Sequence, residues 1–414
     1  MTYTSNSMYS QIQFSSNIPL EKLVQFNREY NNDNSTDIPG VLNIKPKKYN
    51  GESYNVISYD KKNLKKDEYD SYGKFRSIIF DKHSNIVSFS PSKSIDYDTF
   101  TGSNTIENVV IEEFIEGTMI NVYWDSIVNE WVTSTKSTIG ANSMFFKNHS
   151  NPITFKKLFE ETCNEVKLDI NDLDKQICYS FVFQNPKNKI VNQITDHKIY
   201  LIEAYILENT TCVIKRCNNL ENILSNLPDE TKVCIPNKLD FINKDGIDMK
   251  SWDDVKTYIN SLQTPELMGL VAKNDKGERL KIRNPMFEYV RQLRGNQPKI
   301  EFHYITLRKN DQIEVFLQFY PEFKEDFEMF EQKITGFITQ LHTYYVQSFV
   351  LKKILYKDIP YRFKSHVSNL HNYYKNDLRP QKLTIQRHHI DSYVKYIPNA
   401  VLMHSLNFDK RDKK

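Results

Sequence analysis

The densest group of chemistry-bearing residues in this sequence is KIRNPMFEYVRQLRGNQPK, where Lys281, Arg283, Arg291, Arg294 and Lys299 are interleaved with aromatic and apolar residues. Cations spaced in this way can engage phosphate oxygens, and aromatics between them can stack on bases. Arg291 and Arg294 are three apart and would share one helical face. The stretch therefore reads either as an RNA-backbone footprint or as an ordinary solvated face leading into the last part of the chain. Other combinations are poorer in chemistry. His388, His389 and Asp391 lack the further ligands a metal needs and read as structural. Cys163 with His197 makes no better a nucleophile pair. The five cysteines include no CxxC pair, so reduced thiols are expected rather than zinc or disulfides. With only 11 glycines in 414 residues, a Gly-rich phosphate loop is not expected.

The elements that must position these residues divide in two. From Lys74 to Ile206 the pattern is mostly strand-like. KFRSIIFDKHSNIVSFS reads as two strands turning at Lys82–Asn85, and VVIEEFIEGTMINVYWD with EWVTSTKSTIG reads as a second hairpin. A helical insert is expected at Thr154–Val166, before the strands CYSFVFQ and HKIYLIEAYIL. Residues 1–70 read as polar and mixed, with one helix near Leu20–Tyr30. Residues 215–264 read as helix and loop, with Ser251 as an N-cap. ELMGLVAKNDKGERLKIRN is a hairpin turning at Asn274–Gly277. Beyond about residue 286 apolar residues recur at three- and four-residue spacing, the mark of helices. The expectation is an α+β domain at 1–295 and an all-α domain at 300–414.

Composition sets outer bounds. Hydrophobic residues make up 39%, charged residues 26% and aromatics 13%, which suits a globular protein with a sizeable core. The net charge of +3 makes any nucleic-acid surface a local patch rather than a global field. No apolar run approaches the ~20 residues of a membrane helix. The first residues lack a secretory pattern, so an intracellular, cytoplasmic protein is expected. Abundant Lys, Asn, Ile, Asp and Tyr fit an AT-rich coding genome, here read as viral.

Several segments, in order, resemble the T4-type RNA ligases of the lysine-dependent nucleotidyltransferase superfamily, which also holds DNA ligases and mRNA-capping guanylyltransferases. KFRSIIFD resembles that family's Arg-bearing strand, with Arg76 in the matching place. SPSKSIDY resembles the basic segment after it, placing Lys93 near the phosphates. IEEFIEGTMINVYWD resembles the KxDG nucleophile element, and EWVTSTKSTIG the strand and turn that follow, with Lys136 at a basic position. SFVFQNPKNKIV resembles the Glu-bearing strand and its P-x-N-x-I-V continuation. LMGLVAK and RLKIRNP resemble the EGxV and KxK strands. The match covers residues 74–290 and implies an antiparallel nucleotidyltransferase core.

The departures fall on the chemistry. In such enzymes a Lys attacks the α-phosphate of ATP and is helped by carboxylates and a metal. Here Phe114 stands at the nucleophile, Glu116 replaces Asp beside the retained Gly117, and Val182 and Met268 stand at Glu positions. Gly269 remains, and Lys281 with Arg283 forms a K-x-R in place of K-x-K. Phe cannot form a phosphoramidate, so the resemblance implies a pseudoenzyme with no required cofactor. The nucleotide- and phosphate-binding set it implies is Arg76, Lys93, Glu116, Gly117, Lys136, Phe181, Phe183, Gly269, Lys281 and Arg283. Phe181 and Phe183 share one strand face, as core or, on the minority reading, as base-stacking residues. Glu116 is expected either on a sugar hydroxyl or as a solvated turn acid.

Three functions follow from this reading. The favoured one is a module that holds a nucleotide, an RNA 5′ end or an mRNA cap without transfer, with the helical domain touching RNA or a protein partner. The second is an active ligase using another lysine such as Lys136, which would need ATP and Mg2+. The third is an assembly protein retaining only the fold.

Overall fold

The structure is a computed structural model that describes residues 8–16, 18–33, 37–144, 153–238, 249–295, 297 and 299–410. It forms two compact units, Met1–Arg291 and Gln292–Lys414.

The first unit is built on antiparallel sheets. After β1 (Tyr9–Gln11) and a helix at Leu20–Asp33 come β2 (Leu42–Tyr49), β3 (Glu52–Tyr59), β4 (Ile78–Phe80) and β5 (Ile86–Phe89), which pair in that order as a four-stranded sheet. β6 (Val110–Glu113) is followed closely by β7 (Thr118–Asp125), which hairpins with β8 (Glu130–Ser134). Then come β9 (Ile177–Gln184), β10 (Lys198–Glu208), β11 (Val213–Cys217) and β12 (Val233–Cys234). The last hairpin is β13 (Gly269–Lys273) with β14 (Arg279–Arg283). A seven-stranded sheet runs β1-β11-β10-β9-β7-β8, with β12 added parallel to β10; a three-stranded sheet runs β14-β13-β6.

The β2–β3 hairpin lies in a region whose sequence reads as featureless apart from one helix. It turns on Asn50 and Gly51, both at positive φ (48° and 84°), the geometry that favours Asn-Gly in two-residue hairpins. Pro46 is tolerated because β2 is an edge strand. The segment VVIEEFIEGTMINVYWD also differs from its single-strand reading. It breaks at 114–117, sending β6 into the three-stranded sheet and β7 into the seven-stranded one.

The helix Phe155–Glu165, capped by the Thr154 side chain, buries Leu158, Phe159, Thr162 and Cys163. They pack on Ile120, Val122, Tyr179, Phe181, Phe183 and Leu201, one face of the seven-stranded sheet. The second unit is helical. Its 22-residue helix Lys324–Tyr345 buries Phe327, Phe330, Ile334, Phe337, Ile338, Leu341 and Tyr345, a stripe at helical spacing. Helices Tyr361–Tyr373, Arg387–Tyr396 and Asn399–Leu406 also contribute to this unit's core. Among the described residues no helix is long and apolar enough to cross a membrane.

Candidate functional site

Strand periodicity builds the site. On β14-β13-β6 the register places Glu112, Val271 and Lys281 in one row, so they share a face. Alternation adds Gly269, Lys273, Arg279 and Arg283 to that face. The opposite face carries Ile111, Leu270, Ala272, Leu280 and Ile282, packed with Val255 and Ile259 of the helix Trp252–Ser261. One side of this small sheet is therefore core and the other is almost wholly charged.

Part of the charged face is neutralised internally. Lys273 Nζ contacts Glu112 at 2.5 Å and Glu203 at 3.1 Å, and donates to the Ile202 carbonyl at 3.2 Å. Arg216 donates from Nε to Glu203 at 2.7 Å. Glu203 reaches this face because β10 slips register between Leu201 and Glu203. Without that bulge, alternation would turn Glu203 to the same side as Leu201, into the core. Burial acts to raise the Glu203 carboxyl, but Arg216 and Lys273 outweigh it and hold it at about 2. At Glu112 burial wins and raises the carboxyl despite Lys273.

Beyond these pairs the face carries Lys281, Arg279 and Arg283, of which Arg283 is paired with Glu288. Lys281 lies with its ammonium 4.0 Å from the centre of the Phe114 ring, and the Arg283 guanidinium carbon is 5.3 Å from the same ring. Burial, then Arg279, Arg76, Arg283 and Lys273, hold the Lys281 amine well below the usual lysine value. Arg76 is lowered by burial, partly offset by Tyr59 and Tyr205. Lys136 sits 4.6 Å over the Tyr59 ring, its amine lowered by burial and by Arg76, Lys61 and Lys45. Among the described residues no hydrogen bond or ion pair engages Arg76 or Lys281. Among the described residues the Arg279 side chain donates to the carbonyls of Ser92 (2.8 Å) and Pro91 (3.2 Å) and to no carboxylate. Arg283 is exposed and pairs with Glu288 at 2.7 Å.

The crossover 114–117 forms the floor. Phe114 N–H donates to the Gly269 carbonyl at 2.9 Å. A Cβ on Gly269 would fall 2.2 Å from the Ile282 carbonyl oxygen, and one on Gly117 would fall 2.5 Å from that of Phe183. Both glycines are thus required for close backbone approach. Glu116 is neither a sugar ligand nor a solvated acid. It is 6% exposed, and its carboxylate accepts from Val191 N at 2.7 Å, Asn192 N at 3.1 Å and Asn192 Nδ2 at 2.6 Å. It pins the segment after β9 to the crossover, and its burial still raises its carboxyl. Val182 faces this side of β9, between Met119 and Tyr200. A cleft of about 240 Å³ lies alongside, lined by Phe114, Gln184, Asn192, Tyr200 and Met268 among others.

Several expected site residues lie elsewhere. Phe181 and Phe183 are on the opposite face of β9, 1% and 0% exposed, packed against Phe159, so neither can stack on a base. Lys93 lies 3.2 Å over the Tyr69 ring and donates to the Ser94 carbonyl. Arg291 is exposed and pairs with Glu288. Arg294, in the second unit, is 9% exposed and lies over the Phe323 ring, which removes it from any RNA footprint. Lys299 is exposed at the start of the helix Ile300–Lys309. The reading of the sequence missed Tyr59, Glu203, Arg216, Lys273 and Arg279. Only Arg279 left a signal, two residues before Lys281 on the same strand face.

A divalent ion bound with phosphates asks for one or two carboxylates. Val182 and Met268 supply none, and Glu112, Glu116 and Glu203 are consumed in the contacts above. Among the described residues no group of three His, Cys, Asp or Glu side chains could hold a metal.

No family model matches the chain. A curated relative, the immediate-early protein ICP-46 homolog of Invertebrate iridescent virus 3, is 22% identical over 250 residues, which is 59% of this chain. The chain spans about half the length of that relative, 51%. Solved structures similar to this chain are ATP-dependent RNA and DNA ligases. An archaeal ATP-dependent RNA ligase matches with a TM-score of 0.41 at 12% identity, covering 76% of this chain and 79% of that one. An Aquifex aeolicus protein assigned as an ATP-dependent DNA ligase matches with a TM-score of 0.39 at 12% identity, over 85% and 80% of the two chains. A Naegleria gruberi RNA ligase mutant with ATP and Mn matches with a TM-score of 0.30 at 11% identity, over 45% and 53%.

Proposed function

We propose that this chain binds a polyphosphate-bearing ligand, a nucleotide or an RNA 5′ end, against the charged face of β14-β13-β6, without transferring the nucleotide to itself. The observation that carries this reading is the gathering of Arg76 and Arg279 around Lys281, which lies over Phe114, with Lys136 coupled to Arg76; among the described residues no carboxylate hydrogen-bonds to any of these four side chains. Buried cations without counter-charges cost free energy in the empty protein, and phosphate oxygens are the partners that offset it. Phe114 presents an apolar ring where the resembling enzymes carry their nucleophile, so the pocket keeps the means to bind phosphate and lacks the amine that would attack it. The adjoining cleft beside Phe114 and Met268 has room for part of the ligand beyond the phosphates.

Two assays on the purified chain test this. Equilibrium binding should detect a nucleoside triphosphate or a 5′-triphosphate RNA oligonucleotide at moderate salt, with capped RNA as a third ligand. Incubation with α-labelled ATP or GTP and a divalent metal should leave no label on the denatured protein beside a labelling control ligase. A covalent band lost on Lys136→Ala or Lys281→Ala would overturn the non-transferring part of the reading. Failure of every ligand to bind would overturn all of it.

A further inference from the structure

We propose that the site takes its polyphosphate free of divalent metal, with side-chain cations doing what the metal does in enzymes of this chemistry. The inference rests on the reading above and specifies which ionic form of the ligand is recognised.

Three independent observations carry it. First, cations gather around Lys281: its ammonium lies 4.0 Å from the Phe114 ring centre with the Arg283 guanidinium carbon 5.3 Å from the same ring, Arg76 and Arg279 both depress its titration, and Arg76 also depresses Arg279 and Lys136. Second, the buried carboxylates beside that face are engaged, and so is the neighbouring Glu113. Glu112 and Glu203 hold Lys273 and Arg216, Glu116 holds the amides of Val191 and Asn192, and Glu113 accepts from Asn237. Third, the side chains at Val182 and Met268 have no oxygen, and Phe114, which lines the cleft with Met268, presents its ring to Lys281 at 4.0 Å. A magnesium ion delivered with the ligand would keep several waters and would need a carboxylate to replace some of them. Beside Lys281 it would meet Arg76, Arg279 and Arg283, with the buried carboxylates Glu112, Glu116 and Glu203 already engaged. A chelated phosphate chain also carries less negative charge, which lowers its Coulomb attraction to the cluster. Arginine forks and a lysine ammonium instead satisfy bare phosphate oxygens directly.

The test uses the full chain and inorganic tripolyphosphate, which carries no base to confuse the comparison. Binding is measured by calorimetry in EDTA and again with excess Mg2+, at matched ionic strength. The expected result is binding that is tighter in EDTA, by roughly 3–10-fold, from the loss of net ligand charge on chelation. Arg76→Gln and Lys281→Met should each weaken binding in EDTA by roughly 10–100-fold, the value of a charge-assisted contact. Thermal unfolding of both variants serves as the folding control. Tripolyphosphate that binds severalfold tighter with Mg2+ overturns the metal-free inference and leaves the proposed function standing. Binding in EDTA unchanged by either substitution, in variants that unfold like the parent, places the ligand elsewhere and overturns the inference. No binding in either buffer overturns both.

Discussion

Two groups of charge, each with members on the three-stranded sheet, are organised by opposite rules. Glu112, Lys273, Glu203 and Arg216 form a closed set in which each charge meets its opposite within 2.5 to 3.1 Å. Arg76, Lys136, Arg279 and Lys281 form an open set of one sign, packed against Phe114, Tyr59 and backbone carbonyls. Burial is costly for both, and only the closed set offsets the cost from within the chain. The contrast separates charge satisfied within the fold from charge that, on the proposed function, a ligand would satisfy.

The largest effect should come from opening the closed set. Lys273→Met leaves Glu112 and Glu203 buried with only Arg216 to share, and should cost about 3–5 kcal/mol of stability in denaturant titrations. The matching change in the open set has the opposite sign. Lys281→Met removes a charge that has no counter-charge, so the unfolding midpoint should rise or stay level while phosphate binding falls by roughly 10–100-fold. A midpoint that drops as far as that of Lys273→Met would show that the two sets do not differ.

Glu116→Gln keeps the shape of the staple but turns an amide toward Asn192 Nδ2. It should cost about 1–3 kcal/mol, read from denaturant midpoints.

The pH dependence separates the sets again. Lys281 in the folded, empty protein titrates below its ordinary 10.5, so the folded chain holds fewer protons than the unfolded one in that interval. Stability from this group therefore increases as pH rises from its lowered value toward 10.5. A bound phosphate favours the ammonium, so affinity should fall as pH rises through the lowered value, with proton uptake on binding measurable by calorimetry in buffers of different ionisation enthalpy. Glu203 acts at the other end. Its carboxyl is held at about 2, so its contribution is present above the ordinary value of 4.5 and is lost as pH falls from there. The smallest effect is expected at Lys93, which lies over Tyr69. Lys93→Ala should change binding by less than about threefold, an exposed cation–π contact being worth about 0.5–1 kcal/mol.

Much of the site could be read in one dimension because strand alternation is local. RLKIR and MGLVAK place their charges and Gly269 on one face through period two alone. Gly117 and Gly269 are legible for a related reason, since backbone approaching backbone leaves no room for a Cβ. Alternation also told that Phe181 and Phe183 share a face, but not which face was covered. The helix Phe155–Glu165 decided that, and it turned both rings into core. Arg294 failed in the same way: three-residue spacing put it beside Arg291 on a helix, and only packing showed that Phe323 and Tyr320 lie across its guanidinium.

What the sequence by itself determined is the strand and helix periodicity, the glycines of the close backbone approaches, and the apolar side chains at Phe114, Val182 and Met268. What only the tertiary structure decided is which charges meet. The bulge at Leu201–Glu203 turns one carboxylate out of the core to meet Lys273, and Tyr59 arrives beneath Lys136 from a hairpin far away in the chain. Coulomb energy depends on distance and burial rather than on sequence separation, so the balance of one group and the imbalance of the other exist only once the sheets have packed.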